Sequence, residues 1–136
     1  MIRQLCYLSA ATPDFESGLE RMTAAARRRN AELGVTSLIA HGGGAIFQVI
    51  EGPRDCVAAV FARVCRDRSH HNIRLLQDEA VAARDFDHWP LAVQMLDPVA
   101  VQGWSEFIAA KAIPTIIAGI GHTLGQGLKA QLSRAA

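Results

Sequence analysis

The stretch VTSLIAHGGGAIFQVIEGP (residues 35–53) contains two short apolar segments separated by three glycines in succession. Residues 35–40 and 45–51 have the length and apolar character of strands, and the glycines between them favour a turn. We therefore expect a β-hairpin here. Gly52 and Pro53 follow directly, and because proline suits the first turn of a helix, they predict the start of one.

A strand and a helix are predicted before this hairpin. Residues 2–8 alternate between the two faces of a strand. Thr12 and Pro13 then predict a helix start with a hydroxyl cap, and Gly34 predicts its end. One stripe with helical spacing runs along this helix, and its members are Phe15, Leu19, Met22, Ala26 and, four residues on, Asn30.

The rest of the chain completes an α+β pattern. The second helix is predicted to end near residues 68–69, a fourth strand to begin at residues 73–76, and a fifth to cover residues 89–95. The order is that of a ferredoxin-like βαββαβ sandwich with an added fifth strand and C-terminal helices. We expect residues 1–96 to form one domain and residues 97–136 a helical extension of it.

Composition excludes several classes of protein. The chain has 136 residues, half of them hydrophobic, and a net charge of +1, which gives no general attraction to nucleic acid or to an anionic membrane. No apolar run reaches the roughly 18 residues of a membrane span, and no signal peptide is recognisable. The 3 cysteines form no CxxC pair, which favours a reduced, cytoplasmic setting. The histidine spacings predict no metal site.

Three polar side chains interrupt apolar patterns. Gln48 shares one strand face with Ile46 and Ile50, and Asn30 ends the apolar stripe of the first helix. Each amide could simply bond nearby backbone, or both could face one planar ligand with polar edges between the helices. Tyr7, the only tyrosine, lies on a strand expected at the centre of the sheet. Its hydroxyl could bond Gln48 on the adjacent strand or sit at the rim of the core.

The motifs of this chain, taken together and in order, resemble those of the BLUF domains, the blue-light sensors that use FAD. The resemblance runs over residues 2–95, and it implies the same ferredoxin-like fold that the order of predicted elements indicates. Its parts are Tyr7-Leu8-Ser9, Asn30 with Gly34-Val35-Thr36, the segment FQVIEG at 47–52, the segment at 67–70, and RDFDHW at 84–89.

The resemblance implies a role for each matching residue. Tyr7 matches the donor of an electron and a proton to the excited flavin, and Gln48 matches the glutamine that bridges the tyrosine and the flavin. Trp89 matches a tryptophan that relays the change outward, so the photoactive residues would be these three. Residues expected to contact FAD are Tyr7, Arg29, Asn30, Gln48, Ser69 and His70.

The chain also departs from the family pattern. Ser69 stands where an arginine is usual, Ser37 where glycine is usual, and Leu91 where methionine is usual. The leading hypothesis is a short photoreceptor that binds FAD, and these departures motivate an alternative, in which the chain is a flavin-free, degenerate member that acts as a dimeric interaction module. A small hydrolase of ferredoxin-like fold is a third possibility, but residues 9–15 lack the arginine that an anion-binding loop would need. We expect no enzyme activity.

A short sensor without an effector domain must pass its signal to a partner protein or change its own state of assembly. We therefore expect a downstream protein partner, and we expect a homo-oligomer because an open sheet face and an apolar C-terminal extension both need cover.

Overall fold

The structure, a computed structural model, describes residues 1–87 and 89–97. Its elements, in chain order, are β1 (Ile2–Ala11), α1 (Asp14–Leu33), β2 (Thr36–Gly42), β3 (Ala45–Gly52), α2 (Arg54–Arg66), β4 (His70–Val81) and β5 (Ala92–Met95). This order confirms the predicted α+β arrangement with an added fifth strand. The predicted C-terminal helices lie outside the described residues.

The five strands form one sheet in the order β4-β1-β3-β2-β5. Neighbouring strands are antiparallel except β2 and β5, which are parallel. β1 lies between β4 and β3, so Tyr7 is on an interior strand, while β3 occupies the middle of the sheet. Because β3 has neighbours on both edges and apolar clusters on both faces, it is buried along almost its whole length.

The alternation of side chains along β3 separates two faces of the sheet. Ile46 packs with residues of α1, and Ile50 packs with residues of α2. We call this helix-covered side the inner face. Phe47 and Val49 point the other way into a separate apolar cluster, which contains Phe86, and we call this side the outer face. Both helices therefore lie on one side of the sheet, as the fold class requires.

The helix ends that the sequence predicts are only partly correct. Gly34 ends α1 as predicted, because it adopts a left-handed conformation with φ of 66° that glycine tolerates best. The predicted hydroxyl cap at Thr12 is wrong, since no side chain caps α1 and the Thr12 hydroxyl donates to the Ser69 carbonyl instead. α2 ends at Arg66, earlier than expected. Neither helix is long and apolar enough to cross a membrane.

β4 is longer than the sequence predicts. It begins at His70 rather than Ile73 because β1 pairs with it along its length, from Ile2 opposite Val81 to Ala11 opposite His70. The pairing contains two register shifts, and Asn72, which adopts a positive φ of 54°, lies at one of them. Backbone pairing with a long neighbouring strand thus overrides the polar local sequence.

β5 is shorter than predicted, and its first residues are held in another way. Pro90 has no N–H for a sheet ladder. Side chains of α1 bond this segment instead, with Asn30 Nδ2 donating to the Pro90 carbonyl at 2.7 Å and Arg27 Nε donating to the Leu91 carbonyl at 2.8 Å. The strand itself begins at Ala92, at the edge of the sheet.

Candidate functional site

A cleft opens between α1 and α2, above the inner face of the sheet. It encloses about 760 Å³ of space, including its open mouth. Apolar side chains from both helices form its walls, among them Met22, Ala26, Val60 and Val64. Its floor comes from the sheet and the segment before β5, and consists of Tyr7, Ile39, Ile46, Gln48 and Leu91.

Tyr7 and Gln48 form a hydrogen-bonded pair on this floor. They lie directly opposite each other on β1 and β3, and the Tyr7 hydroxyl donates to Gln48 Oε1. Burial raises the pKa of Tyr7 well above its usual value, with smaller contributions from Asp67 and Cys65. The phenol therefore stays protonated and acts as the donor of this bond.

The other end of the Gln48 amide is also bonded. Gln48 Nε2 donates to Ser37 Oγ at 2.8 Å, and Ser37 Oγ donates to the Val49 carbonyl at 2.9 Å. Ser37 is fully buried on β2. The sequence marked Ser37 only as a departure from a family pattern. The two-residue period places Ser37 on the same face as Ile39, and that signal could have identified it as a neighbour of Gln48.

Asn30 is the next polar group of the cleft. It is buried near the C-terminal end of α1 and lines the cleft, and its Nδ2 donates to the Pro90 carbonyl. This is a bond to backbone, as one of the two interpretations of Asn30 expects, but it reaches a distant segment rather than its own helix. The amide oxygen and the second N–H of this side chain have no partner among the described residues, so they can serve a ligand.

Two arginines from opposite helices flank the mouth of the cleft. Arg29 on α1 and Arg63 on α2 both line it, and Asp67 and Arg66 lie close by. Of the three arginines at residues 27–29, only Arg29 is partly buried. Guanidinium groups in such a position suit an anionic ligand group. Arg63 was not among the residues expected at a binding site, although it follows the buried Val60 by three residues, a spacing that places both on one side of α2.

His70 and Ser69 lie at the end of the cleft next to Tyr7. His70 bridges two elements, with Nδ1 at 2.7 Å from Ser9 Oγ and Nε2 at 2.8 Å from the Val64 carbonyl. Because a carbonyl only accepts, Nε2 carries a proton. Ser69 Oγ donates to Asp67 Oδ1 at 2.8 Å, which shapes the turn before β4. Both residues line the cleft.

Trp89 is the one expected photoactive residue that the cleft does not include. It packs against the outer-face cluster of Cys6, Leu38, Phe47 and their neighbours. Leu91, two residues later, lines the cleft instead. The resemblance assigned Trp89 a relay role and left open which way its side chain points, and the structure places it on the opposite side of the sheet from Tyr7 and Gln48.

The cleft has the chemistry that a flavin requires. Its walls are apolar and suit a planar aromatic ring system, while Gln48 and Asn30 supply amide groups at the floor and rim. Gln48 Nε2 has a second N–H beyond the one donated to Ser37. Among the described residues no group of three or more histidine, cysteine, aspartate or glutamate side chains could hold a metal ion.

Comparison of the sequence with known proteins gives consistent matches. The model of the family described as BLUF, sensors of blue-light using FAD, matches residues 2–92. The blue light- and temperature-regulated antirepressor BluF of Escherichia coli (strain K12) is 39% identical over 67 residues, which are 48% of this chain and 17% of that protein. The photoactivated adenylate cyclase subunit beta of Euglena longa is 29% identical over 101 residues, covering 72% of this chain and 12% of that protein. The chain thus spans less than a fifth of these curated relatives.

Solved structures show the same fold. The dark-state structure of BlrB, a BLUF protein, has a TM-score of 0.72 and 26% identity, covering 87% of this chain and 96% of that one. The photo-activated state of BlsA has a TM-score of 0.69, covers 79% of each chain and is 23% identical, which shows the fold alone.

Proposed function

This chain belongs to the BLUF family, the sensors of blue light using FAD, and from that premise we propose that it binds FAD in the cleft between α1 and α2 and signals through Tyr7 and Gln48. The observation that supports this most directly is the bond from the buried Tyr7 hydroxyl to Gln48 Oε1 on the floor of that cleft.

The roles of the two residues follow from their chemistry. A bound flavin supplies absorption of blue light and, when excited, a strong oxidant. Tyr7 is the donor of the electron and the proton, and its hydroxyl already points at the amide that receives its hydrogen bond. The same electron and proton would return to Tyr7, so that no net chemical product remains. The Gln48 amide has an accepting end and a donating end, and it would exchange these two ends in the process. Such a change would alter the hydrogen bond that Gln48 offers to a bound flavin, and thereby the absorption that the flavin supplies.

The remaining site residues would hold the cofactor. Asn30 offers its free amide groups to the polar edge of the flavin, while His70 and Ser69 close the end of the cleft beside Tyr7. Arg29 lies at the mouth, where the phosphates of FAD would leave the protein, and Arg63 of α2 lines the same cleft. Two guanidinium groups from opposite helices suit a diphosphate, which supports FAD as the cofactor.

The signal would leave the sensor through Trp89 and act on a partner protein. Trp89 lies on the outer face, across the sheet from the cleft, which is a suitable place for a relay. We propose that residues 1–96 form the sensor and residues 97–136 an extension, that the chain forms a homo-oligomer in the cytoplasm, and that it lacks enzyme activity. Two relatives are named an antirepressor and a cyclase subunit, which supports a regulatory output. Light scattering that showed only a monomer would contradict the oligomer.

The test is the absorption spectrum of the purified chain before and after blue light. We expect a yellow protein whose flavin band shifts modestly to the red and recovers in the dark. Tyr7→Phe and Gln48→Leu should each abolish the shift and keep the yellow colour. Cys6→Ala is the matched control, because Cys6 is equally buried beside Tyr7 but points to the outer face.

Two results would contradict the proposal. A normal shift in either site variant would refute the assigned roles of Tyr7 and Gln48. A protein that stays colourless after reconstitution with FAD would instead favour the alternative, a flavin-free interaction module.

A further inference from the structure

We propose that Ser37 is a positioning residue, which fixes the orientation of the Gln48 amide and connects it to the backbone of β3. The residue is fully buried, and its hydroxyl lies between Gln48 Nε2 and the Val49 carbonyl. The part of this inference that concerns light rests on the proposed function, whereas the orientation of the amide does not.

The direction of each bond follows from donor and acceptor chemistry. A backbone carbonyl only accepts, so the single hydroxyl proton of Ser37 is engaged by Val49. The Ser37 oxygen is then an acceptor for Gln48, and the end of the amide that faces it must be the NH₂ group. The amide oxygen is left to face Tyr7, whose phenol donates. All three bonds point the same way, from Tyr7 through Gln48 and Ser37 to Val49.

A turned amide, in which rotation by 180° has exchanged the oxygen and the NH₂ group of Gln48, would break this order of hydrogen bonds. Its oxygen would face Ser37, and the hydroxyl of Ser37 would have to leave the Val49 carbonyl in order to donate to it. Ser37 therefore favours the unturned amide by about the difference of one hydrogen bond. Ser37 also links any rotation of the Gln48 amide to the Val49 carbonyl. The side chain of Val49 belongs to the outer-face cluster that Trp89 contacts. A glycine at residue 37 could do neither, because it has no hydroxyl.

The first experiment measures hydrogen exchange of the Gln48 side-chain amide by NMR in the dark. The resonances are assigned as those that Gln48→Leu removes. Ser37→Ala and Ser37→Gly each delete the acceptor, so we expect this exchange to accelerate by about fivefold, the usual effect of one net hydrogen bond. Thr36→Val is the matched control, because the Thr36 hydroxyl accepts from Arg84 Nη1 at 3.0 Å and does not contact Gln48.

The second experiment measures dark recovery after illumination in the same variants. Loss of the bond that favours the unturned amide should slow recovery by about fivefold in both Ser37 variants and leave Thr36→Val unchanged. Exchange in Ser37→Ala and Ser37→Gly that matches the wild-type rate would overturn the proposal. A chain that takes up no flavin would contradict the proposed function, and the exchange measurement on that same chain would still decide the role of Ser37.

Discussion

The two faces of the sheet bury polar residues for different purposes. On the inner face, Tyr7, Gln48 and Ser37 form a line of hydrogen bonds that reaches the cleft and leaves an amide N–H for a ligand. On the outer face, buried Gln4 and Glu51 bond other parts of the chain. The difference shows that burial of a polar side chain does not by itself indicate a binding site. What matters is whether its bonding capacity is used up inside the protein.

On the outer face, the buried polar side chains use their hydrogen-bonding capacity within the protein. Glu51 is fully buried, and its carboxylate accepts from the backbone N–H of Phe86 at 2.7 Å, the backbone N–H of Asp85 at 2.8 Å and Gln4 Nε2 at 3.0 Å. Gln77 Nε2 donates in turn to Gln4 Oε1. This network fixes the loop after β4, so that Phe86 can enter the outer-face cluster.

The largest difference between the two faces should appear in the free energy of unfolding when neighbouring apolar residues of β3 are truncated to alanine. Phe47→Ala removes a large side chain from the sealed outer cluster, and we expect a loss of about 4 kcal/mol in the free energy of unfolding. Ile46→Ala enlarges a cleft that is already open, so we expect about 2 kcal/mol. Urea denaturation measures both. Only Ile46→Ala should also weaken flavin binding. Equal losses from both substitutions would show that the cleft wall is packed as tightly as the outer cluster.

A smaller effect is expected at the outer polar network. Glu51→Gln replaces one carboxylate oxygen by an NH₂ group that faces an N–H donor, which should cost about 2 kcal/mol of unfolding free energy. Glu79→Gln is the control, since Glu79 is an exposed residue of β4 opposite Gln4 in the sheet. The light-induced shift should survive in both variants. Loss of that shift in Glu51→Gln would mean that the outer network belongs to the photoactive site.

The smallest effect concerns the ionisation of Tyr7. Its pKa is raised in the folded state, so its contribution to stability is complete below the unfolded value of about 10 and is lost as the pH rises above it. The loss should be about 1.4 kcal/mol per pH unit relative to Tyr7→Phe, which has no ionisable ring. Because Tyr7 is the only tyrosine, the tyrosinate absorbance reports it alone. Tyrosinate that formed near pH 10 in the folded protein, at its ordinary value, would show that Tyr7 is accessible to water.

Patterns of short range made much of the fold predictable. The period of two placed Ile46, Gln48 and Ile50 on one face, and the left-handed preference of glycine placed the end of α1 at Gly34. Assigning β1 and β3 to neighbouring positions made a Tyr7–Gln48 bond one of two possibilities, and the structure contains that bond. These features depend only on local geometry and on the known order of strands in such a sheet.

Contacts between distant segments could not be predicted in the same way. The length of β4 depends on β1, and the short β5 depends on the bonds from Arg27 and Asn30 to the segment before it. Neither cause has a local signature. The opposite faces taken by Trp89 and Leu91 likewise depend on how that segment is anchored.

The two-residue alternation of β3 also has a consequence for insertions and deletions. One residue added between Ile46 and Ile50 would exchange the faces of every later side chain, moving Glu51 toward the helices and Ile50 away from them. An insertion between Ile46 and Gln48 would displace both the amide that Tyr7 bonds and the anchoring carboxylate of Glu51 through one change in length. In the glycine turn at residues 43–44 the same insertion would leave the register of β3 against β1 intact. Length variation among natural variants of this chain should therefore be concentrated in the turn and absent from the strand.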